Sequence, residues 1–117
     1  MLIKRVTPRI IFLFAALVYF MPVAQASVED EKAFAIAKQN ACLGCHAINK
    51  KIVGPSFQEL AEKYKGDANV QAFFKNKIAK GGSGSWGVVP MPANTKLNDA
   101  DLSTLTSWIL RGAPNKN

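Results

Sequence analysis

The sequence is poor in the side chains that bind metal ions or form covalent cross-links. It contains a single histidine, His46, and two cysteines, Cys42 and Cys45. A C-x-x-C pair can form half of a zinc site, but zinc would need two further thiol or imidazole ligands. The chain cannot supply them, so a structural zinc site is excluded. No internal repeat or low-complexity tract is present either, which excludes a repeat architecture.

Long apolar runs are also scarce, and the longest one predicts export. It covers residues 10–21, behind three basic residues, and is shorter than the roughly 20 apolar residues of a membrane-spanning helix. The segment 22–26 then places small residues at the two positions that a signal peptidase reads. We therefore predict a cleaved secretory signal peptide over residues 1–26 and a periplasmic domain over residues 27–117. The alternative is an uncleaved membrane anchor.

The segment Cys42-Leu43-Gly44-Cys45-His46 has the spacing of covalent haem attachment. Each thiol adds to one vinyl group of the haem, and the histidine that follows is placed below the iron as its proximal ligand. A thioredoxin-like redox pair or a structural disulfide would use the same thiols. The redox motif is typical of a βαβ context, however, and no strand pattern flanks it here. Haem attachment is therefore favoured.

The charge and size of the exported domain agree with this interpretation. The chain carries a formal charge of +7, and without the three basic residues of the leader it carries +4. Such a modest charge does not indicate nucleic-acid binding. A domain of about 90 residues buries only about 60–65% of its unfolded surface, and small domains often need a covalent or metal-based cross-link. We expect the protein without haem to be poorly folded.

Met91 lies in a segment that is suited to carry a second axial ligand. Residues 82–97 are rich in glycine and proline and lack apolar periodicity, and long loops of this kind are usually functional. Met91 stands between two prolines, which restrict the backbone on both sides of it. The other two methionines belong to the leader. A lone methionine is ordinarily core filler, but in this setting Met91 is predicted to bind the iron opposite His46.

Capping residues and apolar periodicity predict four helices and no sheet. The predicted N-caps are Ser27, Ser56, Asp67 and Asn98, and the helices end near Asn40, Gly66, Gly81 and Gly112. The short tail after the last helix is expected to fray.

With these features placed, the chain resembles the class I cytochromes c, most closely the short bacterial cytochrome c-551 type. The resemblance covers the whole of residues 27–117 and is strongest in Cys42–His46, in Val53-Gly54-Pro55 and in residues 86–94. It implies an all-α cytochrome c fold of about four helices around one covalently bound haem c. The cofactor-binding residues that it implies are Cys42, Cys45, His46, Pro55, Lys77, Trp86, Met91 and Asn94, with His46 and Met91 as the iron ligands.

The resemblance assigns roles to four residues around the haem. The Pro55 carbonyl would accept a hydrogen bond from the proximal imidazole, which orients the ring. The Asn94 side chain would donate to the axial sulfur, and the Trp86 indole would donate to a haem propionate. Lys77 stands where some relatives place an arginine near a propionate, and it offers a point charge in place of a planar fork.

The first helix departs from the family pattern. Ala37 lies near the position where relatives often carry an aromatic side chain that packs on the last helix. Phe34, one turn earlier, is expected to take that place.

If both axial positions are filled, the iron has no vacant site for a substrate, and the protein is predicted not to be an enzyme. We expect a soluble periplasmic electron carrier that shuttles between a quinol-oxidising complex and a terminal reductase or oxidase in respiration. Redox proteins would dock at the exposed haem edge, and the chain would be a monomer without stable membrane insertion. The lysines expected to steer such partners are Lys38, Lys50, Lys80 and Lys96. The alternatives are a haem enzyme or sensor with an open sixth position, and a thiol–disulfide oxidoreductase.

Overall fold

The computed structural model describes residues 23–115, and it describes side chains over residues 28–115. This part of the chain contains four α-helices and no strand, which confirms the all-α prediction. The helices are α1 (Val23–Gln39), α2 (Phe57–Lys63), α3 (Val70–Lys80) and α4 (Asp99–Leu110), and a single 3-10 turn covers Cys42–Gly44.

Most of the predicted signal peptide, residues 1–22, lies outside the described residues. Cleavage after Ala26 and the domain boundary at residue 27 therefore stay predictions. Within residues 23–115, each helix is too short or too polar to traverse a lipid bilayer.

Helix α1 begins earlier than the sequence pattern predicted. It already includes Val23, so the assignment of Ser27 as the N-cap is wrong for the full-length chain. The intervening residues Ala24, Gln25 and Ala26 are good helix formers, and they extend the helix past the serine.

Helix α4 is the element against which the other three helices pack. Its Leu105, Trp108 and Ile109 side chains are buried, as expected for apolar residues spaced three and four apart on one helix face. Ala33 and Ala37 of α1 are fully buried, and their small side chains let α1 lie close to α4.

The aromatic contact between the first and last helices is made as predicted. The Phe34 ring meets the Trp108 ring edge-on, with 6.2 Å between centroids, a geometry that aromatic pairs prefer. Phe34 therefore replaces the aromatic residue that is missing at Ala37.

Residues 113 and 114 of the tail after α4 are attached to the core, so the prediction of fraying is wrong for them. Residues 116 and 117 lie outside the described residues. Ala113 is fully buried, and its backbone N–H donates to the Trp108 carbonyl at 3.0 Å. The Trp108 indole N–H donates to the Pro114 carbonyl at 3.0 Å. In addition, Arg111 pairs with Asp30 of α1. The two hydrogen bonds of Trp108 are local, whereas the Arg111–Asp30 pair spans 81 positions. Together these contacts hold the chain as far as Pro114.

Two predicted N-caps are confirmed and a third is corrected. Ser56 and Glu59 form a reciprocal capping box on α2, and the Asn98 side chain accepts from the Asp101 N–H at 2.8 Å on α4. Helix α3, however, begins after Asn69 rather than after Asp67. The Asp67 carboxylate accepts from the Asn69 N–H at 2.8 Å, so it stabilises the turn before the helix.

The capping box makes the stability of α2 dependent on pH. The backbone N–H and the side chain of Ser56, in that order, hold the pKa of Glu59 below its ordinary value of 4.5. A lowered pKa in the folded state stabilises the protein above the unfolded pKa, and this contribution is lost as the pH falls through the folded pKa. In the variant Glu59→Gln, the side-chain oxygen can still accept the hydrogen bond from the Ser56 N–H. The amide does not gain a proton as the pH falls, so this contribution no longer depends on pH.

We therefore expect wild type to exceed Glu59→Gln in free energy of unfolding at pH 7, with the difference shrinking below pH 4.5. Urea unfolding of both holoproteins at pH 7 and at about pH 3 measures this difference. An identical difference at the two pH values would contradict the expectation. Glu62→Gln, on the same helix, is the matched control.

Candidate functional site

A cavity of about 340 Å³ is enclosed by the segment that follows α1, by α2, α3 and α4, and by the loop between α3 and α4. The structure brings most of the predicted site residues together around it. Those that line it are Cys42, Cys45, His46, Pro55, Lys77, Trp86 and Met91. Apolar side chains such as Phe74 and Leu105 line much of the remainder. Asn94 is the one predicted residue that the lining does not include.

The 3-10 turn presents both thiols and the imidazole to this cavity. The His46 and Cys45 N–H groups donate to the Cys42 carbonyl at 2.9 and 3.2 Å, which closes a tight turn. Ala41 enters this turn in the left-handed conformation, at φ 58°. Three chemically reactive side chains are thus displayed by five consecutive residues, as the spacing of the motif predicts.

The Cys42 thiol lacks the electrostatic setting of a redox-active cysteine. Burial raises its pKa, an effect that a backbone hydrogen bond partly opposes and that neighbouring Cys45 reinforces. Reactive C-x-x-C pairs instead depend on a lowered thiol pKa. The surroundings of Cys42 therefore do not favour a thiol–disulfide oxidoreductase.

The imidazole of His46 is held in one tautomer. Its Nδ1 lies 2.6 Å from the Pro55 carbonyl oxygen, and since a carbonyl can only accept, Nδ1 must carry the proton. In the neutral ring this tautomer leaves the lone pair on Nε2, the arrangement required of a metal ligand. The ring also stacks on Phe57, with 5.5 Å between centroids. Phe57 in turn meets Trp108 edge-on at 5.3 Å, so the core around α4 orients the imidazole.

Gly54 provides the space in which the imidazole lies. A Cβ at this position would stand 2.6 Å from His46 Cε1 and 3.0 Å from Nδ1. The Gly54 N–H donates to the Cys45 carbonyl at 2.8 Å, which holds the two backbone segments together. Gly54 belongs to the family segment Val53-Gly54-Pro55, but nothing in the sequence indicates its contact with the imidazole.

The variant Gly54→Ala should therefore displace His46 and weaken its hydrogen bond to Pro55. We expect destabilisation of the holoprotein by about 1–3 kcal/mol, the usual cost of overpacking, together with an altered visible spectrum. Thermal unfolding and absorption spectroscopy measure both effects. Gly44→Ala is the control, because a Cβ there meets no atom within 4 Å, and it should leave the spectrum unchanged. An unchanged spectrum in Gly54→Ala would contradict the proposed role of Gly54.

Met91 is attached to the end of α3 by a pair of backbone hydrogen bonds. The N–H groups of Gly82 and Met91 each donate to the other's carbonyl at 2.9 Å. Gly81 comes directly before this pair at φ 67°, where a Cβ would collide with the Met91 carbonyl. Gly81 and Gly82 were predicted only to end the helix. The structure shows that they also position the segment that carries Met91, residues 82–97, which we call the methionine loop.

The remaining predicted residues are Lys77, Trp86 and Asn94, and only the first two line the cavity. Lys77 and Trp86 are half-buried in the cavity lining. The Lys63 ammonium lies 4.2 Å from the centre of the Trp86 ring, a cation–π contact that the sequence did not indicate. Asn94 belongs to the methionine loop but does not line the cavity. Its amide nitrogen donates to the Asn40 side chain at 3.1 Å. Its predicted contact with the axial sulfur stays a prediction.

The donor set of the cavity fits haem c. Two free thiols, an imidazole with its Nε2 lone pair available and a thioether face one largely apolar space. Thiols can form thioethers with haem vinyl groups, and the nitrogen and sulfur donors are those that bind haem iron axially.

Comparisons with known proteins agree with this geometry. The cytochrome c family model matches residues 31–113. Cytochrome c-551 of Allochromatium vinosum is 40% identical over 90 residues, which cover 77% of this chain and 93% of the relative. Cytochrome c-551 of Azotobacter vinelandii is 47% identical over 73 residues, which cover 62% and 88%. The crystal structure of Nitrosomonas europaea cytochrome c552 superposes with a TM-score of 0.65 at 39% identity, covering 68% of this chain and 98% of the other.

Proposed function

The chain belongs to the cytochrome c family of electron-transfer proteins, and we propose that it is a soluble periplasmic carrier of single electrons. In this proposal haem c is attached through Cys42 and Cys45, and the iron is bound by His46 and Met91. The observation that carries the proposal is the single cavity onto which the thiols, the imidazole and the thioether all face. When bound, haem c supplies a one-electron exchange between ferric and ferrous iron.

The protein residues favour electron exchange because they hold the two proposed iron ligands in place and would leave no room for a substrate at the iron. The hydrogen bond to Pro55 orients the imidazole and increases its basicity. The Gly82–Met91 backbone pair holds the methionine loop, so that Met91 would bind the iron opposite His46 and would leave no site for a substrate. Fixed ligands also keep the structural change between oxidation states small, which favours fast electron transfer.

The mouth of the cavity has the surface expected of a transient docking site. Val53, Val88 and Val89 line the cavity, yet they are 51%, 91% and 61% exposed. An exposed apolar patch at a functional site marks a surface for a partner. The four lysines proposed to steer partners, Lys38, Lys50, Lys80 and Lys96, are all exposed. Such a surface favours weak complexes with acidic redox partners, formed quickly and dependent on salt.

Steering by lysine can be measured with a small anionic oxidant. We expect the rate at which ferricyanide oxidises the reduced protein to fall several-fold as ionic strength rises from about 10 to about 300 mM, because salt screens exposed charges. Lys50→Gln and Lys80→Gln should each lower the rate at low salt. Lys65→Gln removes the same charge away from the haem cavity and should have a smaller effect. A rate that does not depend on salt would contradict steering.

The proposed function as a whole is tested on the purified, exported protein. We expect it to be coloured, to begin at Ser27, and to have the mass of residues 27–117 plus one haem. Its oxidised form should be reduced by membranes of the source bacterium supplied with a quinol, and reoxidised by the terminal oxidase or reductase of the same cells. A mass equal to the bare polypeptide would contradict the proposal, as would rapid binding of carbon monoxide by the reduced native protein, since that requires an open sixth position.

A further inference from the structure

Two asparagine side chains connect parts of the site that are far apart in the sequence. Asn40 follows α1 and precedes Cys42 by two residues, and Asn94 follows Met91 by three residues. The Asn94 Nδ2 donates to the Asn40 Oδ1 at 3.1 Å across 54 sequence positions. The bond thus joins the segment that begins the haem motif to the loop that carries the methionine.

Both amide groups are oriented by further hydrogen bonds. The Asn40 Nδ2 donates to the Ile36 carbonyl at 2.9 Å, so its Oδ1 is the atom that faces Asn94. The Asn94 Oδ1 accepts from the backbone N–H groups of Lys96 and Leu97 at 3.0 and 3.3 Å, so its Nδ2 is the atom that faces Asn40. An amide has two donors and one acceptor group in fixed positions, and here the neighbouring backbone determines which end is which.

The backbone hydrogen bonds of the methionine loop lead to a different element, α3. The Gly82–Met91 backbone pair joins the loop to the end of α3, and the Asn94 N–H donates to the Ile78 carbonyl within α3 at 2.9 Å. The Asn40–Asn94 bond is the attachment that leads instead to the end of α1. If the loop moves away from the haem motif as a segment hinged at α3, this bond must break together with the Lys63–Trp86 contact to α2, while the bonds to α3 persist.

From this arrangement we propose that Asn40 is a positioning residue that keeps the methionine loop closed through Asn94 and so restricts the access of external ligands to the iron. The inference rests on the proposed function, because it needs Met91 as the axial ligand. When Asn40 is replaced by an apolar residue, the Asn94 amide loses its hydrogen-bond partner in the closed state. The open state loses nothing, because the two side chains are not bonded to each other there. The open state, in which water can satisfy both groups, is then more populated.

The test measures how readily imidazole displaces Met91 in the oxidised holoprotein. The apparent affinity of such a ligand scales with the population of the open state, and one hydrogen bond changes that population by about three- to tenfold. We expect Asn40→Leu to bind imidazole about three- to tenfold more tightly than wild type. Asn40→Asp keeps an acceptor for the Asn94 amide and should lie closer to wild type.

A matched control separates this effect from a general loss of stability. Gln71 donates to the Ser107 hydroxyl at 3.1 Å between α3 and α4, and neither residue lines the cavity. Gln71→Leu removes a side-chain hydrogen bond of the same length and should leave the imidazole affinity unchanged, even if the thermal midpoint falls. Equal affinities in wild type and Asn40→Leu would overturn the inference.

A double-mutant cycle of Asn40→Ala and Asn94→Ala isolates the coupling between the two residues. Additive effects on imidazole affinity would overturn the inference even if Asn40→Leu fails to fold. The Met91→Ala variant separates this failure from failure of the proposed function. If Met91→Ala binds imidazole no more tightly than wild type, methionine ligation itself is wrong. If Met91→Ala gains affinity but the Asn40 variants do not, only the role of Asn40 is wrong.

Discussion

Replacement of Met91 by alanine should lower the reduction potential of the holoprotein and open its iron to external ligands. A thioether is a soft ligand that favours ferrous over ferric iron, and methionine ligation raises the potential. Axial ligation covers a span of about 0.8 V among haem proteins, so we expect a decrease on the order of 100 mV or more. The reduced variant should also bind carbon monoxide rapidly, whereas wild type should not.

Two further variants show whether the effects of Met91→Ala on the potential and on carbon monoxide binding come from loss of the sulfur or from loss of packing. Met91→Leu keeps a similar apolar volume but has no sulfur, so it should behave like Met91→Ala if the thioether binds the iron. Thr95→Ala changes an exposed loop residue that does not line the cavity and should leave the potential unchanged. Spectroelectrochemistry measures the potential, and carbon monoxide titration measures access to the iron. If Met91→Ala keeps the wild-type spectrum and potential, methionine ligation is wrong.

The double variant Cys42→Ala, Cys45→Ala should lose covalent haem and much of its stability. The 3-10 turn presents both thiols to a cavity that is bounded by three of the four helices, so the attached group would be packed against all three. Loss of a disulfide from a small exported domain costs about 2–5 kcal/mol, and we expect a loss of at least that size. A domain of about 90 residues has little stability in reserve.

The expected result is a polypeptide with the mass of residues 27–117 alone and no cooperative thermal transition. Cys45→Ala alone is the intermediate case, because one thioether bond can still form. Mass spectrometry under denaturing conditions measures attachment, and circular dichroism measures the transition. A cooperative transition in the double variant without haem would show that the helices fold independently of the cofactor.

Several features could be predicted because neighbouring residues produce them. The Ser56–Glu59 capping box and the Asn98 cap each involve residues three apart, and the structure contains both. The Cys42–His46 motif is likewise complete within one turn. The N-caps predicted at Ser27 and Asp67 were wrong, because α1 already includes Val23 and α3 begins after Asn69.

Other features depend on residues that only the tertiary structure brings together. The contact between the end of α4 and α1 requires Arg111 to reach Asp30, 81 positions away in the sequence. The close fit of Gly54 against His46 and of Gly81 against the Met91 carbonyl arises where separate backbone segments approach each other. The Asn40–Asn94 bond spans 54 positions, and the sequence around each asparagine does not indicate that the two are in contact.

The thiol spacing, the lone histidine and the proline-flanked methionine are properties of short segments, so they predict the chemistry of the site without knowledge of the fold. The sequence also determined the number and type of helices, which follow from caps and apolar periodicity. The tertiary structure decided which tautomer His46 adopts, how the methionine loop is held and which side chains support it. These depend on contacts between distant segments, which exist only once the helices have packed around α4.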